Sequence, residues 1–86
     1  MILNVYAIHD DLSGFMTPVV DQNDAIAMRN FRMACDVSKT SVMSWRPSDF
    51  SLYRLGTFNS ETGSLVPLDP IEVVCRGEKS EISNTV

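Results

Sequence analysis

Short apolar runs separated by polar turns dominate the chain, and one helical stripe interrupts them. Residues 2–9 are almost continuously apolar and rich in β-forming side chains, which is typical of a strand in the middle of a sheet. A polar turn over residues 10–14 follows. Residues 15–20 predict a second short strand, which we place at a sheet edge because Pro18 has no backbone N–H to donate.

One amphipathic helix is predicted over residues 24–36. Asp and Asn residues that favour a helix N-terminus occupy positions 21–24. Apolar side chains then recur at spacings of three and four, at positions 27, 31, 34 and 35. Arg29 and Arg32 fall on the opposite side of this helix, so a sheet is expected to cover the apolar stripe.

The second half of the chain returns to strand patterns. Residues 37–48 have mixed polarity and predict a loop or a frayed helix end. Strands are predicted at 50–58, 65–68 and 71–75, with a hairpin loop at 59–64 in which Gly63 takes a positive φ. The pattern therefore predicts an α+β fold: a mostly antiparallel sheet of about four to five strands, one helix packed on one face, in the order β-β-α-β-β-β.

The 86 residues suffice for one domain, which we place at residues 1–76, with a polar and mobile tail at 77–86. A core of this size contributes only about 3–5 kcal/mol, so small chains often add a disulfide, a metal or a second copy. Cys35, Cys75 and the single histidine His9 have no ligand or disulfide spacing. We therefore expect buried free thiols, no metal, no cofactor and a homo-oligomer.

Charge and hydropathy limit the partners. No apolar run approaches the ~18–20 residues needed to cross a bilayer, and no basic segment precedes the first strand, so we expect a cytosolic protein with no membrane partner. The net charge of −4 argues against coating nucleic acid by bulk electrostatics. Any contact with DNA is expected to need a local basic patch.

No catalytic group is predicted. His9 lies at a strand end beside Asp10 and Asp11, whose turn position explains them by local hydrogen bonding. The glycines are isolated, so no phosphate-binding loop is present in the sequence. We expect a binding protein and not an enzyme.

Basic and aromatic residues of the helix and the central segments form the first candidate site. Bases stack on aromatic rings while guanidinium groups hold phosphates, so such a patch fits single-stranded DNA. The candidate nucleic-acid-binding residues are Arg29, Arg32, Lys39, Trp45, Arg46, Tyr53 and Arg54. In the alternative interpretation the arginines solvate a helix face and the aromatic side chains fill the core.

A partner interface is the second candidate. The predicted loop contains three large apolar residues, Val42, Met43 and Trp45, which a partner protein or a second copy would shield from water. Packing of this loop against the sheet would explain the same residues, and an open sheet edge is a further surface for a second copy.

Three segments together resemble the small nonstructural protein of gokushovirus-type microviruses, which are phages with single-stranded circular DNA genomes. The segments are MILNVY (residues 1–6), DAIAMRNF (24–31) and PSDFSLYRLGTF running into ETG (47–63). The resemblance implies a protein made in the host bacterial cytoplasm, not retained in the virion, and associated with genome replication or packaging. It implies no catalytic or binding residue, so the candidate residues above rest on the pattern alone.

Three functions remain in competition. The leading hypothesis is an accessory factor in replication or packaging of the single-stranded DNA genome, which binds that DNA or the replication complex. The alternative is an adaptor or assembly factor that docks on the phage initiator, a host replication protein or the procapsid. A third, a small enzyme or a DNA-mimicking inhibitor, rests only on Asp10, Asp11, Asp21, Asp24 and the negative charge.

Overall fold

The fold is known from a computed structural model that describes residues 1–36 and 42–78. These residues form five strands, two α-helices and one 3-10 helix. In chain order the elements are β1 (Ile2–Asp10), β2 (Gly14–Phe15), β3 (Val19–Asp21), α1 (Asp24–Ala34), α2 (Val42–Trp45), the 3-10 helix (Pro47–Asp49), β4 (Phe50–Asn59) and β5 (Leu65–Arg76). The predicted α+β class, with a mostly antiparallel sheet and one main helix, is confirmed.

The sheet has β1 and β4 at its centre. Its strand order is β2-β1-β4-β5, and all described pairings are antiparallel. Because β4 occupies one side of β1 along its length, β3 pairs with the other side, in line with β2. The central position of the first strand and the edge position of the segment around Pro18 are therefore as predicted. The single strand predicted over residues 15–20 is wrong, because β2 and β3 are separate and Pro18, which has no N–H to donate, lies between them.

The last strand departs from the prediction. Residues 65–76 form one strand, β5, where we predict two strands separated at Asp69 and Pro70. The pairing with β4 passes from Gly56↔Pro67 to Arg54↔Glu72, so residues 68–71, which include a cis peptide bond before Pro70, bulge opposite Leu55. The prediction is wrong because hydrogen bonding to β4 resumes on both sides of the bulge and keeps both halves in one strand.

Helix α1 begins where its capping residues predict. The side chain of Asn23 accepts a hydrogen bond from the backbone N–H of Ile26 at 2.9 Å, and Asp24 adds an acidic group to the first turn. The Asn23 cap satisfies one of the unpaired N–H groups of the helix start, and the charge of Asp24 is favourable beside the positive end of the helix dipole. The helix ends at Ala34 and not at the predicted Asp36. Among the described residues, no helix has the length and apolar composition needed to cross a bilayer.

The hydrophobic core lies between α1 and one face of the sheet. The predicted apolar stripe of α1 is confirmed, since its inward residues pack there. The buried cluster consists of Tyr6, Ala27, Phe31, Cys35, Met43, Phe50 and Leu52. A groove of about 350 Å³ remains open between α1 and β3, so the core is incompletely filled at that edge.

A buried tyrosine ties β1 to the start of α1. The hydroxyl of Tyr6, which is 0% exposed, donates to the Asp24 carboxylate at 2.5 Å and accepts from the Asn4 side-chain amide at 3.1 Å. Burial, together with the hydrogen bond to Asp24, raises the pKa of Tyr6 from 10.0 to about 12. The N-terminus of the helix is thereby held over the sheet.

The other face of the sheet has no helix packed on it among the described residues. Side chains alternate along a strand, and directly paired residues share a face. Tyr6 and Leu52 point to α1, so their strand neighbours Ala7, Ser51 and Tyr53 point away from it. We call this second surface the open face.

Candidate functional site

Three aromatic side chains contact one another on the open face, and we call them the aromatic cluster: His9 from β1, Phe15 from β2 and Tyr53 from β4. Their ring centroids lie 4.7 Å (His9–Phe15), 5.9 Å (His9–Tyr53) and 5.4 Å (Phe15–Tyr53) apart. All three pairs are edge-to-face, an arrangement that aromatic quadrupoles favour. Phe15 is 49% exposed, so the cluster is accessible to a ligand.

The register of the sheet places this cluster beside an arginine. His9 pairs with Phe15 on one side and with Ser51 on the other, and Ser51 pairs with Arg76. Phe15, His9, Ser51 and Arg76 thus form a row across four strands, here called the cross-strand row. The Arg76 guanidinium donates from Nη1 to the Ser51 hydroxyl at 3.3 Å. Aromatic rings and a guanidinium therefore share one end of the open face.

An acidic side chain lies beside the histidine of the cross-strand row. The Nδ1 atom of His9 lies 3.4 Å from the Asp11 carboxylate, and both side chains are partly exposed. The row therefore contains a histidine with an acidic neighbour, and it ends at an arginine that contacts a hydroxyl.

The predicted arginine pair lies in the other layer of the molecule. Arg29 and Arg32 are exposed on α1, on the opposite side of the sheet from the aromatic cluster. Neither has an ion-pair partner among the described residues. Lys39, the third basic residue of that prediction, lies outside the described residues.

The segment around Trp45 combines exposed and buried residues. Trp45 is 80% exposed and Val42 is 67% exposed, on the short helix α2. Met43, predicted with them as a surface residue, is 9% exposed and packs in the core, because α2 turns this side chain inward. The Arg46 guanidinium lies 4.0 Å from the Asp49 carboxylate. Of the three residues predicted to form a partner interface, only Val42 and Trp45 are therefore exposed enough to contact a partner.

Tyr53 and Arg54, predicted to share one patch, lie on opposite faces of the sheet. Adjacent strand residues point in opposite directions, and Arg54 points to the α1 side. There it forms ion pairs with Asp24, at 3.6 Å, and with Glu72. The hydrogen bond to Glu72 raises the pKa of Arg54 most. The charge of Arg54 is therefore balanced internally, and the predicted basic and aromatic residues do not form one continuous surface.

Two of the acidic residues behind the third hypothesis, Asp10 and Asp24, have local partners. The Asp10 carboxylate accepts from the Leu12 backbone at 2.9 Å and from the Ser13 hydroxyl at 3.0 Å, which closes the turn after β1. Asp24 accepts from Tyr6 and pairs with Arg54. These contacts give both carboxylates a structural role, so their presence does not require a functional explanation.

The two cysteines are free, with Cys35 buried and Cys75 half-buried. Burial raises the pKa of both thiols, so their reactive thiolate forms are disfavoured at neutral pH. Across residues 1–36 and 42–78, no group of three or more His, Cys, Asp or Glu side chains is placed to hold a metal ion.

Both edges of the sheet carry features that disfavour pairing with another strand. On one side, β2 and β3 are short and Pro18 lies between them. On the other, β5 contains Pro67 and Pro70 and shifts register twice against β4. Prolines and bulges remove or misalign the N–H groups that a further strand would bond. The open face is therefore more available for binding than either edge of the sheet.

Sequence reasoning missed three of the residues that the fold brings together: His9, considered only as a catalyst, Phe15 and Arg76. They come from three strands, and no local pattern joins them. The alternation Phe50, Ser51, Leu52, Tyr53 indicates two faces for β4, but the strand pairing that completes the cross-strand row is set by the whole sheet.

Comparison with known proteins identifies a family. The chain has no significant match among curated proteins or among solved structures. A family model described as Phage ORF5 protein matches residues 3–80, which is most of the chain. This match confirms the phage part of the resemblance, and it is consistent with the gokushovirus type, which stays a prediction. The chain belongs to the Phage ORF5 protein family.

Proposed function

We propose that this phage protein is a nonstructural accessory factor in replication or packaging of a single-stranded DNA genome, and that it acts by binding single-stranded DNA on the open face. It works by binding and not by catalysis. Its place of action is the host bacterial cytoplasm, outside the virion, as the resemblance to gokushovirus proteins implies.

The aromatic cluster is the observation that carries this proposal. Proteins that bind single strands without reading sequence hold the bases on exposed aromatic rings and the backbone with basic groups. Phe15 and Tyr53 lie on strands of a sheet, so their rings are held in place before a ligand arrives. A duplex keeps its bases paired and stacked, and such a surface therefore favours unpaired strands.

The charge of the chain sets the mode of binding. With a net charge of −4, attraction at long range is weak, and affinity must come from contacts within the site. Stacking contributes about 1–3 kcal/mol per base, which is about 5- to 150-fold in affinity for each aromatic side chain removed.

The test is fluorescence anisotropy of a labelled single-stranded oligonucleotide, with duplex DNA of the same sequence measured beside it. Phe15→Ala with Tyr53→Ala should weaken binding of the single strand by at least the lower of these factors. Tyr53→Phe keeps the ring and should bind as the wild type does. Trp45→Ala removes an exposed aromatic side chain elsewhere and serves as the matched control.

Two outcomes would overturn the proposal. One is the absence of single-strand binding by the wild-type protein at low salt. The other is equal loss of affinity in Trp45→Ala and in the Phe15 and Tyr53 double variant, which would show that the aromatic cluster has no particular role.

A second candidate function is an adaptor that binds the phage initiator, a host replication protein or the procapsid. It is favoured by Trp45 and Val42, which lie exposed on α2. Tryptophan is enriched among the residues that dominate protein interfaces. Nuclease-resistant capture of a phage or host protein by the wild type, lost in Trp45→Ala and retained in the Phe15 and Tyr53 double variant, would support the adaptor. Sedimentation of the same samples tests the predicted homo-oligomer.

A further inference from the structure

The five arginines of the chain differ in what surrounds their charge. Arg54 and Arg46 have carboxylate partners. Arg29 and Arg32 have none among the described residues, but they lie on α1, behind the sheet. Arg76 is the arginine that lies on the open face, and no carboxylate of the described residues forms an ion pair with it. It is therefore the guanidinium available to a ligand of the aromatic cluster.

Arg76 is also held in a defined position. Ser51 is 1% exposed, and its hydroxyl accepts a hydrogen bond from Nη1 of Arg76. A guanidinium has five N–H donors, so this contact leaves the others free for a second acceptor. A buried hydroxyl thus orients the arginine without neutralising its charge.

The spacing suits a phosphate next to a stacked base. Ser51 and Tyr53 are two positions apart on β4, so Arg76, which pairs with Ser51, is a diagonal neighbour of Tyr53. Such neighbours are about 7–8 Å apart, within the reach of a long side chain. The cross-strand row covers three strand spacings, about 14 Å, or about four steps of a stacked strand at 3.4 Å each.

We infer that Arg76 binds a backbone phosphate of the strand whose bases stack on the aromatic cluster, with Ser51 as the residue that positions it. This inference rests on the proposed function and adds to it the residue that contacts the DNA backbone. It also predicts a short site, in which the strand crosses β2, β1, β4 and β5 and does not run along them.

The experiment measures the salt dependence of oligonucleotide binding for the wild type, Arg76→Gln, Arg76→Lys and Arg29→Gln. One phosphate contact on a single strand contributes about 0.7 to the slope of log K against log salt. Arg76→Gln should lower the slope by about this amount and weaken binding about tenfold at low salt, as loss of one charged hydrogen bond implies. Arg76→Lys keeps the charge and should keep the slope. Arg29→Gln, which removes from the other layer an arginine with no ion-pair partner in residues 1–36 and 42–78, should change neither quantity.

The outcomes separate this inference from the proposed function. If the Phe15 and Tyr53 double variant loses binding while Arg76→Gln keeps the full slope, the aromatic cluster binds DNA and the role of Arg76 is wrong. If Arg29→Gln lowers the slope and Arg76→Gln does not, the phosphate lies on α1 and the inference is equally wrong. Unchanged melting temperatures establish that each variant is folded. Absence of wild-type binding overturns the proposed function and, with it, this inference.

Discussion

Replacement of Tyr6 by phenylalanine tests the polar contact that fixes α1 on the sheet. The variant keeps the buried ring and removes the hydroxyl, which bonds the Asp24 carboxylate at 2.5 Å and the Asn4 amide at 3.1 Å. A hydrogen bond to a charged group contributes about 1.5–3 kcal/mol when it is buried. For a domain of this length, a loss of 1 kcal/mol lowers the melting temperature by roughly 4–8 °C. We therefore expect a fall of about 6–24 °C.

The pH dependence of stability tests the burial of the same hydroxyl together with its contact to Asp24. The folded pKa of Tyr6 is about 12, above its ordinary value of 10.0. A raised folded pKa means that the contribution is complete below pH 10 and is lost as the pH rises through 12. A difference of about two pH units corresponds to roughly 2.7 kcal/mol of stability lost across this range, with burial of the hydroxyl as the largest cause and its hydrogen bond to Asp24 as the next.

Urea unfolding of the wild type and Tyr6→Phe at a series of pH values measures both effects. Tyr53→Phe is the matched control, because it removes a phenolic hydroxyl from a half-exposed ring on the open face and should cost less than about 0.5 kcal/mol. The difference between wild type and Tyr6→Phe should shrink between pH 10 and 12. The reasoning is refuted if Tyr6→Phe is no less stable than Tyr53→Phe at neutral pH, or if the difference is independent of pH.

Three further predictions concern the helix, the sheet and the arginine pair. Asn23→Ala should lower the free energy of unfolding by about 1 kcal/mol, measured in urea, because the cap on Ile26 is lost; an unchanged midpoint would contradict this role. Gly56→Ala should cost about 1–3 kcal/mol or more in the same assay, since a Cβ there would overlap the backbone of β5 at Val66, and a fully stable variant would show that the strands separate easily. Arg29→Glu with Arg32→Glu should leave single-strand binding nearly unchanged if the open face is the site; abolished binding would instead place the DNA on α1.

The elements with local signals were predictable from the sequence. The helix start follows from Asn23 and Asp24, and the hairpin from the polar residues 59–64, where Gly63 has a φ of 79°. The prediction of a break at Asp69 and Pro70 is wrong because it rests on a local signal, while the continuity of β5 depends on its pairing with β4. Residues on both sides of the bulge pair with the long strand β4, and the local sequence of residues 65–76 does not indicate that pairing.

The binding surface was predictable only in its chemistry. The sequence predicts that basic and aromatic residues act together. In the structure Arg29 and Arg32 lie in the helical layer. Strand pairing places the other set on the open face of the sheet, namely Phe15, Tyr53 and Arg76. One position along β4 separates Tyr53 from Arg54, yet that step places them on opposite faces. The register of three strand pairings decides which residues meet, and it is set by the packing of the whole domain.

The length of β4 makes the hairpin turn a convenient handle for a reporter group. Ser51 lies in the cross-strand row and Asn59 at the turn, and eight strand residues correspond to roughly 26 Å. A dye attached through Ser64→Cys, at the exposed turn, would therefore stay clear of any DNA on the row. Burial raises the pKa of both native thiols, so the new cysteine would be labelled first. The polarisation of such a dye would report tumbling of the whole molecule, free of direct contact with a base.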